Sequence, residues 1–382
     1  MVDLLEDLDR EGIQGQKRQE IYKRFLTLRA RMVGQPYSGG FELTPLCNFD
    51  CKMCYVHLSQ EQMKGAKVLT TEQWIDIIGQ AIDAGLMHAD LTGGECLKHP
   101  GFKEIYLYLR SRGVEVSVLT NGQLITDDIA DFFAEYPPAI VQITVYGSDE
   151  DKYEAVTGRR AFGDVKNAIE RLKARGIRML LTVTPSQYMQ EDTHALLEFL
   201  RSMNVRYGIG TGSLPARPDT GRVREDYMPG DELYTKLHLD EQEFRKANNA
   251  QSTEFVPSVV FERIPTGFKM KNNVPCSSGV CTFHVNWKGE LQPCIPFYTV
   301  RKSIIDDGFA VAWEWIKARM DTYKPPVECA KCDKASACEM CPAERTLGIL
   351  NGPLNKDLCH RTESYIKAGV VKVMNQDRRN EG

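Results

Sequence analysis

The sequence predicts an α/β protein: an open, partial parallel β/α barrel of six units, followed by a small cysteine-rich domain. Three observations predict it. From Phe41 to about Leu214, short apolar runs alternate with longer segments of helical period, the signature of repeated β-α units over a parallel sheet. After Leu214 the composition shifts to Pro215, Pro218, Gly221, Pro229 and Gly230 among charges, which marks a boundary or an ordered insertion. Finally, eight of the twelve cysteines fall between Cys276 and Cys359.

Residues 1–39 read as a helical extension, with a basic helix around Lys17–Arg31 and then Gly34, Pro36, Gly39 and Gly40 before the first strand. Strands are expected at Phe41–Thr44, Ala89–Thr92, Glu115–Thr120, Ile140–Tyr146, Met179–Thr184 and Tyr207–Thr211, each next to a polar-capped helix. One helix shows the logic: Thr70 and Gln73 fit a capping box, Trp74, Ile77, Ile78, Ala81 and Ile82 form one apolar stripe, and Gly85 can end it. Such a stripe needs a sheet to cover. The expected divisions are therefore an extension at 1–39, the barrel at 40–214, a linker or insertion with a helix at 215–274, the cysteine-rich domain at 275–365 and a tail at 366–382.

The chain has 382 residues, 42% hydrophobic and 26% charged, with a formal net charge of -4 and dispersed basic residues. That pattern argues against nucleic acid as a partner. No apolar run is long enough to span a bilayer, and the acidic start Met1-Val2-Asp3-Leu4-Leu5-Glu6-Asp7 lacks the positive region of a secretory signal, so a cytoplasmic protein without a membrane partner is expected. In a reducing compartment, clustered thiols are more often metal ligands than disulfides.

Cys47, Cys51 and Cys54 place three thiols in a compact loop directly after a predicted strand, where barrel enzymes build active sites. A structural zinc site or a ferredoxin cluster takes four protein ligands, whereas three leave one metal position open. A zinc knuckle is the plain alternative. This C-x3-C-x2-C loop, with aromatic Tyr55 next, resembles the signature loop of the radical S-adenosylmethionine (SAM) superfamily. The resemblance implies a partial (β/α)6 TIM barrel, a 4Fe–4S cluster on the three cysteines, and SAM chelated to its open iron. One electron then splits the sulfonium to give a 5′-deoxyadenosyl radical.

Thr92-Gly93-Gly94-Glu95 ends the next strand and resembles the superfamily's GGE motif, in which backbone and carboxylate meet the SAM ammonium. Alone the motif would be only a turn. Thr120-Asn121-Gly122 and Thr144-Val145-Tyr146-Gly147-Ser148 end the third and fourth strands, and by the resemblance Thr120 and Thr144 touch the methionine part or ribose of SAM. Arg159 is placed to pair with the SAM carboxylate, or is a surface arginine beside a helix start. Tyr55, Gly93, Gly94, Glu95, Thr120, Thr144 and Arg159 are thus the expected SAM contacts, and no residue is assigned as catalytic acid or base. Cys96 matches no ligand pattern and reads as a small buried hydrophobe.

Cys329-x2-Cys332-x5-Cys338-x2-Cys341, then Cys359, fits a zinc ribbon or a ferredoxin-like cluster, and spacing does not separate these. Upstream stand Cys276, Cys281 and the Gly289-x4-Cys294 segment, and together the run resembles the SPASM domain, though with two residues where the family usually has three between its last paired cysteines. The resemblance implies two auxiliary 4Fe–4S clusters, one on Cys276, Cys281, Cys294 and Cys341 and one on Cys329, Cys332, Cys338 and Cys359. With the SAM cluster that makes three.

SPASM relatives modify peptides and proteins, so the resemblance implies hydrogen abstraction from a ribosomally made peptide, with cross-linking, thioether formation or epimerisation as the outcome. Precursor peptide and a flavodoxin- or ferredoxin-type electron donor are the implied partners. A sulfatase-maturing oxidase, a small-molecule dehydrogenase and a non-catalytic iron–sulfur carrier are the alternatives. Sulfatase-maturing relatives place an aspartate base directly after the Gly-x4-Cys cysteine, and here that position is Ile295, which cannot take a proton.

Overall fold

The computed structural model describes residues 15–59, 61–189, 192–210, 217, 220–221, 230–247, 276–338 and 341–371. Six strands, β1 (Ser38–Glu42), β2 (His88–Thr92), β3 (Glu115–Thr120), β4 (Ile140–Thr144), β5 (Met179–Val183) and β6 (Tyr207–Ile209), pair in parallel in the order β6-β5-β4-β3-β2-β1. The helices are α1 (Gly15–Val33), α2 (Thr71–Asp83), α3 (Phe102–Ser111), α4 (Asp127–Glu135), α5 (Glu150–Thr157), α6 (Phe162–Ala174), α7 (Thr193–Ser202) and α8 (Asp231–Ala247). Strand and helix alternate from β1 to β6, as the sequence pattern requires. The capping box of α2 forms as expected, Trp74, Ile77, Ile78 and Ala81 are buried, and Gly85 follows at φ +119°.

The sheet does not stop at β1. Strand β7 (Thr282–Val285) pairs in parallel with its far side, and β8 (Glu290–Gln292) and β9 (Lys302–Ser303) add on antiparallel. The sequence pattern missed these three because runs of two to four residues carry no readable period. It also set the first strand three residues too late. Gly39 and Gly40, read as turn residues, lie inside β1, and a Cβ on Gly39 would come within 2.3 Å of the Phe283 ring on β7. They are small because a neighbouring strand's side chains cross them, not because the chain turns. The expected end of the sixth strand at Thr211 lies outside the described residues.

Register separates the two faces of the sheet. Phe41 pairs with Leu91, and Val118 with Val141, on the face that α2 and its neighbours cover; the Phe41 ring meets Trp74 edge-on at 6.3 Å. One residue along each strand, Glu42 pairs with Thr92, Asp90 with Ser117, and Thr144 with Thr182, all on the opposite face. A parallel sheet covered on both faces by apolar packing would be hydrophobic throughout. This one keeps a polar face.

Beyond β9 come α9 (Ile304–Asp307), α10 (Phe309–Met320), α11 (Pro342–Arg345) and α12 (Lys356–Lys367). Helix α1 ties the two halves together: Lys23 pairs with Glu115 at 2.7 Å, and Arg31 donates to Ser277 Oγ at 3.2 Å. The charged stretch Arg217–Glu241, inside the expected linker or insertion, begins and ends buried: Arg217 faces the sheet, and Glu241 accepts from Arg201 at 3.0 Å and from the Tyr207 hydroxyl. Residues 222–229 within it lie outside the described residues.

Candidate functional site

In a parallel sheet, the loops after the strands gather at one edge. The cysteine loop leaves β1 after Glu42, the glycine pair leaves β2 after Thr92, and Asn121 follows β3, so all three meet there. Gly94 N donates to Thr44 O at 2.6 Å and Glu95 N to Leu46 O at 2.9 Å. A Cβ on Gly94 would lie 2.5 Å from Leu46 O, and Gly93, at φ +153°, would place one 2.5 Å from Thr44 O. The two glycines therefore let the stem of the cysteine loop lie directly on the end of β2.

The loop is held from the other side by α5. Asp50 N donates to Thr157 O at 2.9 Å and Lys52 N to Val156 O at 3.0 Å. Burial pushes the Tyr146 pKa well above the ordinary range, and the three thiols of the loop add to that shift. Burial first, and then the neighbouring Glu95 and Cys54, raise Cys47 to about 12. Without a metal the Cys47 thiol stays protonated, and iron is what would deprotonate it. Donors for the thiolate form are in place: Phe49 N at 3.4 Å and Asn121 Nδ2 at 3.5 Å from Cys47 Sγ, and His57 N at 3.2 Å from Cys54 Sγ. The donor set fits an iron–sulfur cluster.

Glu95 is fully buried. Thr120 Oγ1 lies 2.9 Å from both of its oxygens and gives them its single proton, Asn121 N donates at 2.8 Å and Leu97 N at 3.1 Å. A carboxylate has about four lone-pair directions, and these three donors leave one of them open. The group expected to face an ammonium also latches the end of β2 to the end of β3. Burial raises its pKa despite those donors.

Thr120 is therefore joined to Glu95. Thr144 stands further along the sheet, its hydroxyl 3.4 Å from that of Thr182. Arg159 is exposed, and its backbone meets the Thr157 hydroxyl beside the cysteine loop. The Tyr55 ring lies 5.9 Å from the Arg217 guanidinium. Cys96 is buried, with its thiol 3.4 Å from Leu119 O. Sequence reasoning missed Asn48, which donates to Gln123 at 2.7 Å and accepts from Asn121 at 2.9 Å. An amide between two metal-ligand cysteines was the available signal.

The later cysteines gather in two sets. Cys276 raises the pKa of Cys281, Cys294 and Cys341. Separately, Cys329 feels Cys338 and Cys332, and Cys359 feels those same three. Burial is the larger cause in each case. Among the described residues, no three metal-ligating side chains converge as one metal ion requires. A four-iron cluster spreads its thiolates over separate irons and asks for a wider ring.

The family profile described as the Radical SAM superfamily matches residues 41–200. The chain is 25% identical over 264 residues to the antilisterial bacteriocin subtilosin biosynthesis protein AlbA of Bacillus subtilis (strain 168), covering 69% of this chain and 55% of that protein. It is also 25% identical over 315 residues to the mycofactocin maturase MftC of Mycolicibacterium smegmatis, covering 78% of this chain and 76% of that one. Its fold is similar to that of Streptococcus suis SuiB bound to S-adenosylmethionine, with a TM-score of 0.67 at 13% identity over 93% of this chain and 86% of SuiB. SuiB has also been solved with its precursor peptide SuiA. The chain thus spans little more than half the length of the first of these relatives. Among the described residues, no helix is long and apolar enough to cross a membrane.

Proposed function

We propose, from the match of residues 41–200 to the Radical SAM superfamily profile, that this chain is an enzyme that holds a 4Fe–4S cluster on Cys47, Cys51 and Cys54 and abstracts hydrogen from a residue of a ribosomally synthesised peptide. The observation that carries the reading is the meeting of three thiols with the Gly93–Glu95 turn and Thr120 at the edge of a parallel sheet with a polar face. When bound, the cluster and SAM supply a 5′-deoxyadenosyl radical, chemistry that belongs to the cofactor. The chain supplies position. Gly93 and Gly94 seat the cysteine loop on β2, Glu95 and Thr120 brace the neighbouring strand end, and Asn121 and Asn48 hold the region of Cys47. The polar face between the strands, with Thr144 and Thr182, takes SAM and the reacting residue.

Two further clusters sit on the two later sets, Cys276, Cys281, Cys294 and Cys341, and Cys329, Cys332, Cys338 and Cys359, in a barrel-plus-SPASM arrangement. Full ligation suits them to electron transfer. Peptide is favoured over a sulfatase by the names of the relatives, which include a bacteriocin biosynthesis protein and a maturase, and by Ile295 at the position of the base. A flavodoxin- or ferredoxin-type protein supplies the electron.

The test incubates the reconstituted, reduced protein and SAM with the precursor peptide encoded beside the gene and, separately, with a sulfatase-motif peptide. 5′-Deoxyadenosine and a mass change in the precursor are expected. Formylglycine on the second peptide alone would overturn the choice of substrate class, and no 5′-deoxyadenosine in either would overturn the enzyme.

A further inference from the structure

Arg217 lies on the segment that leaves β6, one edge of the sheet, yet its guanidinium reaches Glu42 at the end of β1, five strands away in the sheet order. Its two terminal nitrogens donate to the two carboxylate oxygens at 2.8 and 2.6 Å. His284 Nε2, from β7, stands 3.3 Å from the same carboxylate. All three residues are buried, with relative exposures of 7% for Arg217, 1% for Glu42 and 3% for His284. Burying two charges is costly, and a fork of two parallel bonds plus a third polar neighbour is the geometry that offsets the cost.

Closing the sheet across its polar face needs only the fork. Arg217 does more. Its backbone N donates to Tyr55 O at 3.3 Å, and its guanidinium lies over the Tyr55 ring, so two separate groups of one residue hold the position directly after Cys54. A second tie follows at once: Gln62 donates to Thr220 O at 2.8 Å, and Thr220 N and Oγ1 return to Arg217 O at 3.0 and 2.7 Å. On the other flank, Val56 and Leu58 pack on Trp287, in the turn between β7 and β8. The far limb of the cysteine loop is thus clamped from outside the barrel units, while α5 and the glycine pair hold the near limb.

We propose that Arg217 is a positioning residue for the cluster: through Glu42 and Tyr55 it fixes where Cys54 sits, and so where the open iron presents itself to SAM. The role rests on the radical SAM reading given above. A lysine there keeps the charge but loses both the fork and the planar stacking.

The experiment compares wild type, Arg217→Lys and the double variant Glu42→Gln with Arg217→Met, all anaerobically reconstituted. Iron content, melting temperature, SAM affinity and the change that SAM induces in the electron paramagnetic resonance spectrum of the reduced protein are measured. Both variants are expected to keep their iron, bind SAM about tenfold or more weakly, and show an altered SAM-induced spectrum. If Arg217→Lys does not fold, the double variant, which removes both buried charges together, decides alone. A lowered melting temperature with SAM affinity within about twofold of wild type and an unchanged SAM-induced spectrum would reduce Arg217 to a clasp and overturn the proposal. Wild-type protein that takes up no iron or fails to bind SAM removes the radical SAM reading itself, and this role with it.

Discussion

Glu95 follows β2 and Thr120 ends β3, and a carboxylate with three donors joins them. Glutamine has nearly the same shape, but its amide nitrogen must face a donor, because two of the three donors are backbone N–H groups that cannot turn round. A hydrogen bond to a charged group contributes about 1.5–3 kcal/mol, so Glu95→Gln is expected to weaken SAM binding roughly ten- to hundredfold while iron content holds. Equilibrium SAM binding to the reconstituted variant is the check. An unchanged dissociation constant with a lower melting temperature would confine Glu95 to bracing the fold. The bracing was not visible from Gly-Gly-Glu alone, since the sequence names the acid but not its donors.

At the scale of elements, α1 depends on a charge cluster at the base of the sheet. His88 stands between Asp90, at 3.0 Å, and Glu115, at 3.5 Å, and Glu115 also takes Lys23 of α1. Burial opposes the charge, but the bonds to Asp90 and Glu115 raise the His88 pKa to about 9. A histidine raised in the folded state gives stability that is fully present below about pH 6.5 and lost as pH rises through its folded value. The expected loss between pH 6.5 and 9.5 is about 1–2 kcal/mol, given that the side chain is 27% exposed. Melting temperatures of wild type and His88→Gln at the two pH values test this: the gap between the proteins should close at the higher pH. A gap that stays constant counts against the cluster.

At the scale of the whole molecule, eleven of the twelve cysteines fall into a set of three and two sets of four. The three four-iron clusters proposed above would give about twelve irons per chain, and replacing Cys47, Cys51 and Cys54 together by Ala should lower the count to about eight and abolish SAM cleavage. The two later sets do not share the cysteine loop, so their irons should remain. Zinc at the later sets in anaerobically purified protein would falsify that division.

The order of β-α units, the capping box at Thr70, the position of the cysteine loop after the first strand and the spacing of the later cysteines were legible without coordinates. Each is a local pattern, set by periodicity, by a cap or by neighbours within a few residues. What the chain brings together from far apart was not. Gly39 and Gly40 look like a turn until Phe283 and His284 arrive beside them, 244 residues on. Arg217 looks like one charge in an exposed stretch until it forks Glu42. Whether a small or charged residue turns, packs or pairs depends on which partner the fold sets against it, and that partner is fixed by tertiary contacts whose sequence separation carries no period to read.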